Sequence, residues 1–380
     1  MTDELILTNA RIVTPDAVID GTVRVVDGVI LEVDDRPSRV AGALDLKGDY
    51  LLPGLVELHT DNLERQLSPR PGVRWPPAAA MVAHDVQIAG AGITTVCDAV
   101  CVGIYSQERE RLEILQTSID GIEGARADGR LKAEHLLHLR CEVPHPGVIE
   151  LFEPLSAAGT LKVVSFMDHT PGQRQWRDLD RYREFHQGQG GTSDEEIEGL
   201  LAWHREQQEA NAGRNRRRIL EMIEGRDLAL ASHDDATEGH VEAAAADGMN
   251  LAEFPTTIEA AKAARRLELG IVMGAPNLVL GGSHTGNVSA LELAELGLVD
   301  ILSSDYVPVS LLHGAFCLHE QIGLPLPDAL ATVSANPARR IGLLDRGAIA
   351  RGLRADLARV RHAGDAPRAV AVWRQGRRVA

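Results

Sequence analysis

The central part of the chain alternates short apolar runs with longer segments of helical periodicity. The apolar runs of strand length are residues 54–59, 94–98, 136–141, 161–167, 228–233, 250–254, 271–274 and 300–304. Between them, residues 107–127 place Leu115 and Ile122 on one helical face, and Ser193 with Glu196 forms a capping-box sequence. Eight strands joined by helices predict a (β/α)8 TIM-type barrel, with an open doubly wound sheet as the alternative.

Both ends of the chain are rich in β-forming residues. Asp27-Gly28 separates two runs of Val and Ile, which is typical of a β-hairpin. Residues 356–360 and 369–373 repeat this character at the other end. Neither end has enough strands for a core of its own. We therefore expect residues 1–52 and 341–380 to pair as a small β-sandwich domain built from both chain termini, and residues 53–340 to form the barrel.

Composition narrows the possible partners. The chain has 380 residues, 44% hydrophobic and 25% charged, which is usual for a soluble globular protein. Lys and Arg total 39 against 55 Asp and Glu, and this acidic balance predicts no nucleic-acid partner. No apolar run reaches the roughly 18 residues that span a bilayer, and the start lacks a secretory pattern. We expect a cytoplasmic protein with a small-molecule substrate and no membrane partner. Whether the chain forms a homo-oligomer stays open.

Polar residues of metal-ligating type follow several of the predicted strands. In (β/α)8 barrels, catalytic groups occupy the carboxyl ends of the strands. His59 and Asp61 are two apart on an extended segment, so their side chains point to the same side. Charged groups collected there would repel one another unless a cation held them, which favours a metal site over structural polar pairs. The candidates at the ends of the other strands are Glu142, His169, His233, Glu253 and Asp305.

A glycine-rich loop after the seventh predicted strand is a candidate for phosphate binding. Its glycines permit close backbone approach and its neighbours supply hydrogen-bond donors, so it could form an anion-binding nest or a flexible turn. The candidate residues of this loop are Gly282, Ser283, His284 and Thr285. Arg140 and Arg174 adjoin proposed ligands and could bind phosphate oxygens, although pairing with Asp or Glu is an equal alternative. His138 is expected to be an ordinary polar residue beside the site.

Two stretches of the chain resemble the amidohydrolase superfamily of metal-dependent hydrolases. Residues 51–59 (LLPGLVELH) resemble its first barrel strand, and residues 347–357 (GAIARGLRADL) resemble its return to the β domain. The resemblance runs essentially from end to end. It implies a (β/α)8 barrel joined to a small β domain that both chain ends build.

Further motifs resemble one branch of that superfamily. That branch contains the α-D-ribose 1-methylphosphonate 5-triphosphate diphosphatases of the carbon–phosphorus lyase pathway. The motifs are ELHTDNLE at 57–64, LRCE at 139–142, FMDHTPGQ at 166–173, SHDD at 232–235 and GGSHTGN at 281–287. The resemblance implies metal-dependent hydrolysis of this sugar triphosphate to the 5-phosphate and diphosphate in phosphonate breakdown.

The same resemblance implies roles for individual residues. Asp305 is expected to be both a ligand and the base that deprotonates the attacking water. Glu142 is preferred to a modified lysine as the group that bridges two metal ions. Glu253 stands where many members have histidine, and this difference leaves the number of ligands open. The ligands of one or two divalent ions, with zinc expected, are His59, Asp61, Glu142, His169, His233 and Asp305.

Two other functions stay open at this point. One is an amidohydrolase or deacetylase that acts on a small amide, because the same ligands would serve that reaction. The other is a catalytically silent barrel that serves as a scaffold. The reaction product would distinguish the first from a diphosphatase, and a lack of stoichiometric metal would favour the second.

Overall fold

Strands from the whole chain form two separate sheets. A computed structural model describes residues 3–70, 72–103, 108–190, 193–282, 286–364 and 366–380. The described strands are, in chain order, β1 (Glu4–Val13), β2 (Val18–Val26), β3 (Val29–Asp34), β4 (Leu44–Asp45), β5 (Tyr50–Pro53), β6 (Leu55–Thr60), β7 (Ile93–Val102), β8 (Glu134–Glu142), β9 (Leu161–Met167), β10 (Ala229–His233), β11 (Leu251–Glu253), β12 (Gly270–Gly274), β13 (Ile301–Ser303), β14 (Leu357–Arg361), β15 (Arg368–Arg374) and β16 (Arg377–Arg378).

Helices connect the barrel strands. Short 3-10 segments lie at Glu153–Leu155 and Arg174–Trp176, and a π-helical turn lies at Gln208–Ala212. Within the described ranges, no helix is both long and apolar enough to cross a membrane. The α-helices are α1 (Asn62–Leu67), α2 (Pro77–Gly90), α3 (Glu108–Ala127), α4 (Val148–Phe152), α5 (Leu179–Gly190), α6 (Asp194–Gln207), α7 (Gly213–Met222), α8 (Glu238–Ala246), α9 (Ile258–Arg266), α10 (Ala275–Leu280), α11 (Ala290–Glu295), α12 (Ser310–Glu320), α13 (Leu326–Ala331) and α14 (Ala335–Arg340).

The small β domain joins both ends of the chain. Its strands follow the order β16-β15-β14-β5-β1-β2-β3, with β4 beside β1. Leu7, Leu51 and Trp373 meet in its buried core, which therefore draws on both termini. The predicted hairpin connects β2 to β3, and its Asp27-Gly28 pair has φ angles of 49° and 81°, as a type I′ turn requires.

The barrel sheet runs from β6 to β13 in unbroken chain order, with every neighbouring pair parallel. Its last strand returns to its first, because the Asp305 amide donates to the His59 carbonyl at 3.1 Å and Ser303 Oγ donates to the same oxygen at 2.6 Å. Apolar side chains such as Val56, Leu136 and Val272 fill the interior. The (β/α)8 barrel with a terminal β domain is confirmed, and the doubly wound alternative is wrong because the ends of the sheet meet.

The local signals in the sequence also match the elements. The predicted capping box begins α6, where Ser193 Oγ accepts from the Glu196 amide at 3.3 Å and the Ser193 amide donates to Glu196 Oε2 at 2.8 Å. Leu115 and Ile122 of α3 are buried. The second barrel strand extends to Val102, beyond the predicted end at residue 98.

Candidate metal centre

One carboxylate connects two histidines from different barrel strands. Glu253, the last residue of β11, lies with Oε1 2.7 Å from Nδ1 of His59 and with Oε2 2.7 Å from Nδ1 of His233. All three side chains are buried, and the two imidazole rings lie nearly parallel with centroids 5.9 Å apart. A ring that donates through Nδ1 to a carboxylate presents Nε2 on its opposite side, which is the usual orientation of metal-ligating histidine.

A second carboxylate orients His169, which follows β9. Nδ1 of His169 lies 2.6 Å from Glu142 Oε2, and the His169 amide donates to Glu142 Oε1 at 2.9 Å. Burial alone would raise the pKa of Glu142, but the charge and hydrogen bonds of His169 hold this pKa below its ordinary value. Both oxygens of Glu142 therefore contact His169. A bridging role for Glu142 stays a prediction.

Some buried carboxylate oxygens near this mouth have no hydrogen bond. Two of them are Oδ1 of Asp61 and Oδ2 of Asp234, for which the described part of the chain offers no hydrogen-bonding partner. Asp234 Oδ2 lies 3.5 Å from His233 Nε2 and 3.7 Å from His169 Nε2. An unpartnered buried carboxylate costs free energy unless a cation neutralises it. These oxygens and the three imidazoles form a donor set that fits a divalent ion.

Asp305 occupies the seam where the barrel closes. Its backbone has a φ of 53°, its amide bonds to His59, and its carbonyl accepts from Thr60 Oγ1 at 2.6 Å. Burial and the nearby charge of Asp61 raise the pKa of Asp305, against the lowering effect of His59 and Arg140. The carboxyl group is thus held at the mouth of the barrel with an enhanced affinity for a proton.

Arg140 supplies positive charge to the same mouth. Burial would lower its pKa, but the acidic groups around it, including Asp61, Glu253 and Asp305, raise this pKa above the ordinary value. Its Nε atom has no hydrogen bond to any residue that the structure describes. The guanidinium group is therefore charged, and it retains donor capacity for an anionic ligand.

These groups share one cavity of about 320 Å³. The apolar lining includes Phe254, Met273 and Leu280 on the side of β11, β12 and α10. The glycine-rich loop contributes Gly282, and Tyr306 follows Asp305. The predicted site residues that line the cavity are His59, Arg140, His169, His233, Gly282 and Asp305.

One of the two predicted phosphate-binding arginines forms an ion pair within the protein. Arg174 is buried, with Nη1 2.5 Å from Asp235 Oδ1 and 2.7 Å from the His233 carbonyl, so it makes the structural pairing that the sequence left open. It is absent from the lining of the cavity in the described part of the chain, and its role in phosphate binding stays a prediction. The predicted loop residues Ser283, His284 and Thr285 lie outside the described residues.

Sequence reasoning did not assign Asp234 and His138 to the site. Asp234 directly follows a predicted ligand at a strand end, and that position was the available signal. His138 lies with Nε2 2.5 Å from Ser165 Oγ and 3.9 Å from Glu253 Oε1, so it belongs to the buried cluster around Glu253. Burial lowers the pKa of His138 to about 3, which keeps the ring neutral.

Comparison with known proteins agrees with the barrel fold. Residues 166–380 match the model of the amidohydrolase family. The fold is similar to N-acetylglucosamine-6-phosphate deacetylase from Pasteurella multocida, with a TM-score of 0.64 at 13% identity over 99% of both chains. The same enzyme from Thermotoga maritima gives a TM-score of 0.61 at 16% identity, again over 99% of both chains. The chain belongs to the amidohydrolase family, whose members typically depend on metal.

A named relative covers the whole chain. It is α-D-ribose 1-methylphosphonate 5-triphosphate diphosphatase from Escherichia coli strain K12. The two sequences are 45% identical over 381 residues, which include 99% of this chain and 100% of the relative. This similarity extends through the β domain as well as the barrel.

Proposed function

We propose that the protein hydrolyses α-D-ribose 1-methylphosphonate 5-triphosphate to the 5-phosphate and diphosphate, as a step in phosphonate breakdown. The observation that carries this proposal is the 45% identity, over 99% of the chain, to a diphosphatase of that name. The cavity supports it, because carboxylates, imidazoles and a charged arginine converge within about 320 Å³. This volume lies at the lower end of the range for small-molecule sites.

The residues around the cavity fit one or two divalent ions, and we propose zinc. Nitrogen and oxygen donors of this kind are ordinary zinc ligands. A bound divalent ion would lower the pKa of water and offset the charge that grows on phosphate oxygens. The residues proposed to hold the ions are His59, Asp61, Glu142, His169, His233 and Asp305.

Asp305 is the proposed proton acceptor. A general base has to lie within hydrogen-bond reach of the water that attacks, and Asp305 projects into the cavity beside His59. Its backbone is held by β6, so the carboxyl group has little freedom to leave this position.

Arg140 is the proposed phosphate-binding cation. Its guanidinium group lines the cavity and keeps an uncommitted buried Nε. Charge-assisted hydrogen bonds from arginine to phosphate are shorter and stronger than neutral ones. Arg140 would therefore orient the triphosphate and stabilise the charge that develops during hydrolysis.

The test is incubation of the zinc-loaded protein with α-D-ribose 1-methylphosphonate 5-triphosphate, followed by phosphorus NMR. We expect diphosphate and the 5-phosphate as products, loss of activity after treatment with a chelator, and recovery on addition of Zn²⁺. N-acetylglucosamine 6-phosphate serves as the matched amide substrate. Release of acetate from that compound, with no diphosphate from the triphosphate, would overturn the proposal.

A further inference from the structure

Three potential metal donors converge on one point at the mouth of the barrel. Oδ2 of Asp234 lies 3.5 Å from Nε2 of His233 and 3.7 Å from Nε2 of His169. The rings of the two histidines are nearly perpendicular, with centroids 5.8 Å apart, so their Nε2 atoms approach this point from different directions. All three residues line the cavity.

The separations are too long for hydrogen bonds, which have donor–acceptor distances near 2.9 Å. Distances of this size are instead typical of pairs of atoms that bind the same metal ion. A tetrahedral zinc with bonds of about 2.0–2.2 Å holds its ligand atoms roughly 3.3–3.6 Å apart. The 3.5 Å separation from His233 falls within this range, and the 3.7 Å separation from His169 lies just outside it.

Hydrogen bonding on the far sides of the rings supports the same conclusion. Ionised carboxylates only accept, so Nδ1 of His233 donates to Glu253 and Nδ1 of His169 donates to Glu142. A neutral ring then carries a lone pair on Nε2. The Nε2 atoms of both rings are thus left on the side of Asp234 Oδ2, where one cation could contact all three atoms.

The backbone holds Asp234 in this position at a conformational cost. Its φ is 55°, in the left-handed region, and its amide donates to the Glu253 carbonyl at 2.9 Å. The side chain is only 9% exposed, yet Oδ2 has no hydrogen bond to any part of the chain that the structure describes. Strained residues with an uncompensated polar atom are concentrated at functional sites.

We propose that Asp234 is a metal ligand, which forms with Nε2 of His169 and Nε2 of His233 a three-donor face for one divalent ion. This inference rests on one part of the proposed function, namely that the protein binds a divalent ion. It assigns Asp234 a role beyond the ligands that the family resemblance implies.

The experiment measures zinc binding by the apoprotein, with no substrate present. Asp234→Asn keeps the size of the side chain and removes its charge, and Asp235→Asn is the matched control because Asp235 pairs with Arg174 instead. Loss of a ligand should weaken zinc binding at least as much as loss of a residue that hydrogen-bonds to a ligand, about 10- to 100-fold. Competition with a chromophoric chelator would give the affinities, and elemental analysis the stoichiometry.

A second variant and a second ion keep the assignment testable if Asp234→Asn does not fold. If circular dichroism shows that Asp234→Asn is unfolded, Asp234→Glu is compared with wild type after loading with Co²⁺, whose visible absorption reports its ligands. A changed Co²⁺ spectrum with an unchanged circular dichroism spectrum is the expected result.

Wild-type zinc affinity in folded Asp234→Asn, or a wild-type Co²⁺ spectrum in Asp234→Glu, would overturn the assignment of Asp234. Neither result depends on turnover. A wild-type protein that binds zinc through Asp234 but releases no diphosphate would contradict the proposed substrate alone.

Discussion

The carboxylate of Glu253 lies 2.7 Å from Nδ1 of His59, although the two residues are 194 positions apart in the chain. The same carboxylate lies 2.7 Å from Nδ1 of His233 through its other oxygen. One side chain therefore sets the orientation of two imidazoles. The relationship makes Glu253 a positioning residue for the candidate metal centre.

Glu253→Gln should weaken zinc binding about 10- to 100-fold, as loss of a carboxylate that hydrogen-bonds to ligand histidines typically does. The glutamine amide has one accepting and one donating end, so it can satisfy Nδ1–H of only one of the two rings. Chelator competition would measure the affinity, with Glu242→Gln on the exposed face of α8 as the control. Equal zinc affinity in the two variants would contradict the positioning role.

At zinc concentrations that saturate the site, Asp305→Asn should reduce turnover by roughly 100- to 10,000-fold, the usual contribution of a general base. Asparagine preserves the shape of the side chain and cannot take up the proton from water. Diphosphate release and metal content would be measured on the same sample. Turnover equal to that of the wild type would rule out the assigned role.

Arg140→Ala should reduce kcat/KM for the triphosphate roughly 10- to 100-fold, because a hydrogen bond to a charged group contributes about 1.5–3 kcal/mol. Arg140→Lys keeps the charge but lacks the planar fork of arginine. It should therefore retain only part of the activity. Steady-state kinetics would separate the two variants. Arg126→Ala, on the exposed face of α3, is the control, and an equal kcat/KM in Arg126→Ala and Arg140→Ala would contradict phosphate binding.

A buried imidazolium on barrel strand β8 should make stability depend on pH. His135 lies with Nδ1 2.7 Å from Asp98 Oδ2 and Nε2 3.1 Å from Asp85 Oδ1, so both nitrogens donate to carboxylates. Burial would lower its pKa, but these two charges raise the pKa to about 9 from an ordinary 6.5. The protonated His135 adds about 3 kcal/mol to the free energy of unfolding below about pH 6.5. This contribution is lost as pH rises through 9.

Urea unfolding between pH 6 and 10 would test this dependence. The free energy of unfolding should fall with rising pH in the wild type, and the fall should be smaller in His135→Asn. His313→Asn on α12 provides the histidine control. A wild-type pH profile in His135→Asn would show that His135 does not carry the effect.

Much of the candidate site could be predicted because it depends on local pattern. Apolar runs of strand length identified the barrel strands, and the parallel arrangement brings their carboxyl ends to one mouth. His59, His233 and Asp305 could therefore be assigned to one cavity before any distance was known. Their side-chain chemistry then indicated a metal.

Adjacency in the sequence was less informative for the arginines. Arg140 and Arg174 both adjoin proposed ligands, but only Arg140 lines the cavity in the described part of the chain. Arg174 has a φ of 49° and turns toward Asp235, which is 61 residues away. Such a pairing depends on how two loops approach each other, and no local pattern encodes that approach.

The amino-acid sequence by itself determined the order of the strands, the domain that both ends build and the chemical types at the strand ends, because these follow from periodicity and turn residues along the chain. Only the tertiary structure decided which atoms meet. Closure of the barrel puts Glu253 between two histidines and directs Asp234 Oδ2 toward two ring nitrogens. Those distances depend on the curvature of the whole sheet and on backbone angles at single residues, to which hydrophobic patterning is insensitive.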